Sequence, residues 1–178
     1  MDYVFETDYL RIRKFELEDA HCLYENHLEA DVKKWIPNES YADIEETQSA
    51  INFYINCVKN KHLPYVLAVE LKETGELIGD TGVNEVEGSP NEVEIGYTIC
   101  KKHTGKGYAT DLLKAMTEYI VKTFGISVLY GRVMQGNQAS KKVLEKNGYK
   151  FTKEEFGAED DPYGNGMFIY KKECKNLI

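Results

Sequence analysis

Two glycines, Gly105 and Gly107, stand in a run from Lys102 to Gly107 that holds no apolar residue. The alternating stretch Glu92–Cys100 precedes it. From Ala109 onward Leu112, Leu113, Met116, Ile120, Val121 and Phe124 recur at helical spacing. A strand that runs through such a turn into a helix leaves backbone N–H groups unpaired at the helix start. Those groups and the helix dipole suit an anion such as a phosphate, and glycine lets the backbone approach it at positive φ. The same pattern also serves a plain strand–turn–helix connection. Two familiar phosphate loops do not fit. A P-loop needs Lys-Ser/Thr after its last glycine, and Gly107 is followed by Tyr108. A dinucleotide-binding turn needs a third glycine where Thr110 stands, inside a parallel βαβ unit.

Charge divides the chain around this turn. Residues 101–150 hold ten Lys/Arg against three Asp/Glu, a local +7, and the remainder holds twelve against twenty-seven, or −15. This split suggests two ligands of opposite sign, one near the glycine turn and one elsewhere; charges that merely solvate the surface would look the same. No basic run is interleaved with aromatics, so no nucleic-acid partner is expected. His21, His27, His62 and His103 share no ligand spacing, and no metal site is expected. Cys22, Cys57, Cys100 and Cys174 form no CxxC pair, and reduced thiols of a cytoplasmic protein are the simplest reading. Met1–Leu10 carries acids where a signal peptide would be basic, and no stretch is long and apolar enough for a membrane span.

The elements that must position these residues follow from periodicity. Strands are expected at Leu10–Lys14, Tyr65–Leu71, Leu77–Val86, Glu92–Cys100, Val128–Met134, Tyr149–Glu155 and Met167–Lys172. Helices are expected at Glu16–Leu28, Ile44–Lys59 behind an Asp43 cap, Ala109–Phe124, and Ala139–Lys146 before an Asn147-Gly148 stop. Trp35, before the Pro37-Asn38 break, reads as a core or rim anchor. The 178 residues suit one domain spanning 1–178. Short turns make the three middle strands antiparallel neighbours, and the order gives an α/β fold, a mixed sheet with helices on its faces.

Lys102-His103-Thr104-Gly105-Lys106-Gly107-Tyr108-Ala109 resembles the [Arg/Gln]-x-x-Gly-x-[Gly/Ala] motif of the GNAT superfamily of acetyl-CoA-dependent N-acetyltransferases, with Lys102 departing from Arg or Gln. Asn137-Gln138-Ala139-Ser140 with Val143–Tyr149 resembles the second family signature, and Glu94-Ile95-Gly96-Tyr97 the strand before the turn. Leu10–Leu28 resembles the opening of the Rim-type branch, which acetylates ribosomal-protein N-termini, and of related small-molecule acetyltransferases. The resemblance covers about residues 8–172. It implies a mostly antiparallel twisted sheet, helices on both faces, splayed between the central strands.

The resemblance also implies roles. The pyrophosphate of acetyl-CoA would lie on Gly105, Lys106, Gly107, Tyr108, Ala109 and Thr110. The pantetheine arm would pair as an added strand with Thr98, Ile99 and Cys100, and Asn137 would bond it, although an Asn there also suits a turn or helix cap. Lys101, Lys106, Lys141, Lys142 and Lys146 can flank the phosphates. Backbone N–H groups near Thr98 or Ile99 would polarise the thioester carbonyl. The attacking amine must lose a proton. Glu94, on the strand face of Gly96 and Thr98, is the first candidate base, and Glu159 on the late loop the second. Where many members carry a Tyr for the leaving thiolate this chain has Leu144, and Ser140, one turn earlier, is the candidate to fill that role or to serve as a helix-start residue. The acidic remainder, with Glu39, Asp43, Glu45 and Glu46 and with Glu159, Asp160 and Asp161, points to a cationic amine acceptor, a peptide N-terminus or a small molecule. Polyamine or aminoglycoside acetylation and a catalytically idle acetyl-CoA-binding module are the alternatives, in a monomer or homodimer.

Overall fold

The computed structural model describes residues 3–157 and 166–174. Strands β1 (Tyr3–Glu6) and β2 (Leu10–Arg13) lead into helices α1 (Ala20–Leu28), α2 (Ala30–Trp35) and α3 (Ile44–Asn60). Strands β3 (Tyr65–Leu71), β4 (Leu77–Val86) and β5 (Ser89–Ile99) follow, then α4 (Tyr108–Phe124), β6 (Val128–Met134), α5 (Gln138–Lys146), β7 (Lys150–Glu155) and β8 (Met167–Glu173). The sheet order is β1-β2-β3-β4-β5-β6-β8-β7. All neighbours run antiparallel except β5 and β6.

Strand β1 and helix α2 were not expected from periodicity. Both are short, with half-exposed patterns that carry little signal. The expected helix over Glu16–Leu28 starts instead as a 3-10 turn at Leu17–Asp19, where Glu16 and Asp19 form a capping box. Strand β5 begins before its expected start, because Ser89 pairs with Val86 across a tight turn at Gly88.

Two cores sandwich the sheet. On one face α4 packs Leu112, Leu113, Met116, Ile120 and Val121 against Val93, Ile95, Leu129 and Val133, with Leu144 of α5 joining them. On the other, Leu23 of α1 and Ile51 of α3 bury Phe15, Ala68 and Leu77. The α4 crossover brings β6 alongside β5 in parallel. They pair only at Glu92–Glu94 with Val128–Tyr130. Beyond that point β5 stays with β4 to Ile99, and β6 stays with β8 to Met134. The facing edges of residues 95–99 and 131–134 therefore have no strand partner, and the sheet opens as a wedge.

Candidate active site

The glycine turn lies at the mouth of this wedge. Gly105 and Gly107 have φ of +75° and +85°, and no atom lies within 4 Å of a Cβ built on either. No side chain caps the start of α4, so its first N–H groups have no side-chain partner. The turn is braced from behind. His103 is buried and its Nε2 lies 3.0 Å from Glu76, which also holds Lys102 at 3.2 Å. Asn147 Nδ2 donates to the Thr110 carbonyl at 3.2 Å and ties α4 to α5. Lys101 is paired with Asp31 at 3.5 Å. Lys106, Lys141, Lys142 and Lys146 make no ion pair among the described residues.

Along the wedge, β5 presents its residues to two different environments. Tyr97 points to the α4 side, where its hydroxyl lies 2.9 Å from Ser140 Oγ across the opening. Burial pushes the phenol up to about 12, the bond to Ser140 pulling the other way. Ser140 is not spent on its own helix end: Asn137 caps α5, its Oδ1 accepting from Ser140 N at 3.2 Å. The amide Nδ2 of Asn137 keeps its donors. Leu144 is buried against Gly131, where a Cβ would meet its Cδ2 at 2.6 Å.

On the opposite face, Thr98 Oγ1 donates to Asp80 Oδ2 at 2.7 Å, and the same oxygen lies 2.7 Å from His27 Nε2. His27 Nδ1 lies 2.7 Å from the Glu39 carbonyl and so must donate to it. Burial opposes charge on this imidazole, but the attraction of Asp80 and the bonds to Asp80 and Glu39 outweigh it and raise its pKa. The contact binds the loop before α3 to the sheet floor. Above Gly96 a Cβ would meet nothing within 4 Å. Glu94 flanks that open spot, 3.9 Å from Arg132, which reaches Glu155 at 3.1 Å. Burial raises the Glu94 pKa, Arg132 lowers it and Glu155 raises it further, the net shift being upward. A cavity of about 440 Å³ continues from Glu94 over Tyr130, Arg132, Lys153, Glu155 and Lys171.

The acidic crowd expected at the start of α3 divides. Asp43 accepts from Glu46 N at 2.8 Å and Glu46 accepts from Ala42 N, so both serve the helix start. Glu39 alone stands near the site: its side chain is exposed, but neighbouring protein desolvates its carboxylate, which with the charges of Asp80 and Glu94 raises its pKa against the pull of His27. Glu159, Asp160 and Asp161 lie outside the described residues. Trp35 is half-buried and packs its ring 3.8 Å from a Cβ built on Gly136, at the far rim of the wedge. Tyr97, Asp80, His27 and Arg132 were not singled out for chemistry by sequence reasoning. The alternation of β5 carried the signal for Tyr97, whereas Asp80 and His27 meet only through tertiary packing.

Residues 9–150 match the family model described as acetyltransferase (GNAT) domain. The chain therefore belongs to the GNAT family, and it is an acetyltransferase. The uncharacterized N-acetyltransferase p20 of Bacillus licheniformis is 29% identical over 148 residues, 83% of this chain and 82% of that protein. The ribosomal-protein-S5-alanine acetyltransferase of Vibrio fischeri superposes with a TM-score of 0.86 at 17% identity, over 99% of this chain and 100% of that one. RimL, a ribosomal L7/L12 α-N-protein acetyltransferase solved in complex with coenzyme A, superposes with a TM-score of 0.80 at 18% identity, over 97% and 98%. The fold expectation, a mostly antiparallel sheet splayed at its centre, holds.

Proposed function

We propose that this protein transfers the acetyl group of acetyl-CoA to a primary amine, with Glu94 as general base. The observation that carries the reading is the wedge itself: an unpaired strand edge leads from an open glycine turn to a half-buried carboxylate. In this reading the N–H groups from Gly105 to Thr110 hold the pyrophosphate. The free edge at Ile99 pairs with the pantetheine arm, and Asn137 Nδ2 donates to it; the Thr98 carbonyl faces β4, and Cys100 is spent, its N–H on the Ile78 carbonyl and its carbonyl on His103 N. The N–H of Ile99, on the open edge, polarises the thioester carbonyl.

Glu94 takes the proton of the attacking amine, directly or through water. A raised pKa makes it a better acceptor of that proton than an ordinary exposed carboxylate. Glu159 is the second candidate for the same step. Ser140, freed from capping by Asn137, offers its hydroxyl to the departing sulfur. The carboxylates of Glu94 and Glu39 favour a cationic acceptor: a peptide N-terminus or a small polyamine-like or aminoglycoside-like amine.

The test is thioester consumption against a panel of amines, run at low and high salt. Turnover of cationic amines with a kcat/KM that falls as salt rises supports the reading. Preference for acidic acceptors at low salt refutes the charge argument. Cofactor binding without turnover on any amine favours an idle acetyl-CoA-binding module. Loss of turnover in Ser140→Ala, with the acetyl-CoA KM nearly unchanged, supports the leaving-group role.

A further inference from the structure

We propose that Tyr97 is a positioning residue for acyl transfer, its hydroxyl donating to Ser140 Oγ so that the Ser140 O–H is left to point at the departing sulfur. The inference rests on the Ser140 role proposed above. Its basis is a hydrogen-bond inventory. The Tyr97 hydroxyl has one partner among the described residues, Ser140 Oγ at 2.9 Å. A phenol is a better donor than an alkyl hydroxyl and a poorer acceptor. A partly buried O–H must also be satisfied, so Tyr97 donates. The Ser140 oxygen then accepts on one side and keeps its own proton for another partner. Ser140 is the only hydroxyl residue on α5, and the bond to Tyr97 fixes its rotamer across the open wedge. Leu144, packed on Gly131, leaves no second hydroxyl on that helix for the task.

The geometry also says what kind of help this pair gives. The phenol stands near 12, and an alkyl thiol near about 8.5. Net transfer of the phenol proton to the thiolate is uphill. The pair therefore stabilises the sulfur by hydrogen bonding, Ser140 donating to it and Tyr97 holding Ser140 in place. As the amine N–C bond forms and the C–S bond breaks, the amine proton goes to the general base. The sulfur keeps the electron pair of the broken bond, leaves as a hydrogen-bonded thiolate and takes a proton from water.

The test uses single-turnover rates with acetyl-CoA in four proteins: wild type, Tyr97→Phe, Ser140→Ala and the double variant. Tyr97→Phe should slow the rate roughly tenfold, the effect of one lost hydrogen bond near a developing charge. The acetyl-CoA KM should stay within about twofold. In the Ser140→Ala background the same change should cost nothing further, and in a Ser140→Thr background it should again cost roughly tenfold. Equal losses with and without the serine hydroxyl would overturn the proposal, as would a Tyr97→Phe rate equal to wild type. A harmless Ser140→Ala would instead remove the serine role, and with it this inference. If Tyr97→Phe melts early, 3-fluorotyrosine at position 97 keeps the packing and strengthens the donor. The rate should then rise, and an unchanged rate refutes the role.

Discussion

Replacing Gly107 by Glu tests the phosphate cradle, because the structure separates the effect on the fold from the effect on the ligand. A Cβ at Gly107 meets no atom within 4 Å, so no neighbour must move. The φ of +85° remains, and an L-residue there costs about 1–2 kcal/mol. For a chain of this length that is about 2–8 °C in Tm, so the variant stays folded at assay temperature. The ligand fares worse. A carboxylate about 5 Å from a bound pyrophosphate adds about 1 kcal/mol of repulsion in water and about 3 kcal/mol at an effective dielectric of 20. That raises Kd roughly fivefold to 150-fold from a micromolar starting point. Titration calorimetry with coenzyme A measures it, alongside thermal melts. Gly107→Ala carries the strain without the charge and should lose less. A folded Gly107→Glu protein with a Kd within about twofold of wild type would remove the glycine turn from the site.

Three further outcomes follow from the opposite face of the sheet and its floor. Glu94→Gln should lower kcat by about 10²–10⁴ and flatten the acidic limb of the kcat/KM profile, which lies above the ordinary carboxylate value of about 4.3; full activity there, with loss in Glu159→Gln, moves the base to the late loop. Gly79→Ala would set a Cβ 1.9 Å from the Thr98 carbonyl oxygen, so it should cost about 1–3 kcal/mol in urea melts and raise the acetyl-CoA KM; an unshifted midpoint contradicts that close approach. The raised His27 pKa stabilises the fold fully below the unfolded value of about 6.5, and that contribution is lost as pH rises through the folded value. Wild-type Tm should therefore fall across that window more steeply than in Asp80→Asn, and equal slopes would show that the His27–Asp80 contact stores none of it.

The strands beside the wedge, and the turn–helix that serves it, were legible because they rest on local patterns, while the splay itself came from the family resemblance. The helix spacing from Leu112 to Phe124 and the alternation of Val93 and Ile95 each name one buried face. The turn from Lys102 to Ala109 was legible as suited to an anion for the same reason, its chemistry being backbone chemistry written in glycines, and its assignment to acetyl-CoA came from the family resemblance. What stayed hidden was set by side chains far apart in sequence. Arg13 reads as an outward residue between Ile12 and Lys14, yet it is buried between Asp19 and Glu70 at 2.8 Å from each. Asn137 and Ser140 could not be assigned from sequence, since both suit a helix start; the structure gives the cap to Asn137 and leaves the Ser140 hydroxyl free of it. Nor could sequence say that, of the acidic residues named at α3, Asp43 and Glu46 are engaged by backbone N–H groups at the helix start.

The division of labour in the proposed reaction follows from the two-residue period of β5. Val93, Ile95 and Tyr97 turn to the α4 layer, while Glu94, Gly96 and Thr98 turn to the α1 and α3 layer. Help for the leaving group and removal of the amine proton are thereby set on opposite faces of one strand. The free backbone edge runs between them, where the thioester would lie. Gly96 completes the arrangement, since any side chain there would fill the open spot beside Glu94. The strand can hold both functions because past Glu94 it is paired on one edge only. If β6 stayed in register with β5 past Tyr130, the edge would be closed by the sheet, and Tyr97 and Ser140 would have no gap to bridge. In the proposed reaction the wedge is therefore a requirement, since only an open edge past Glu94 leaves room for the thioester between the carboxylate and the hydroxyl.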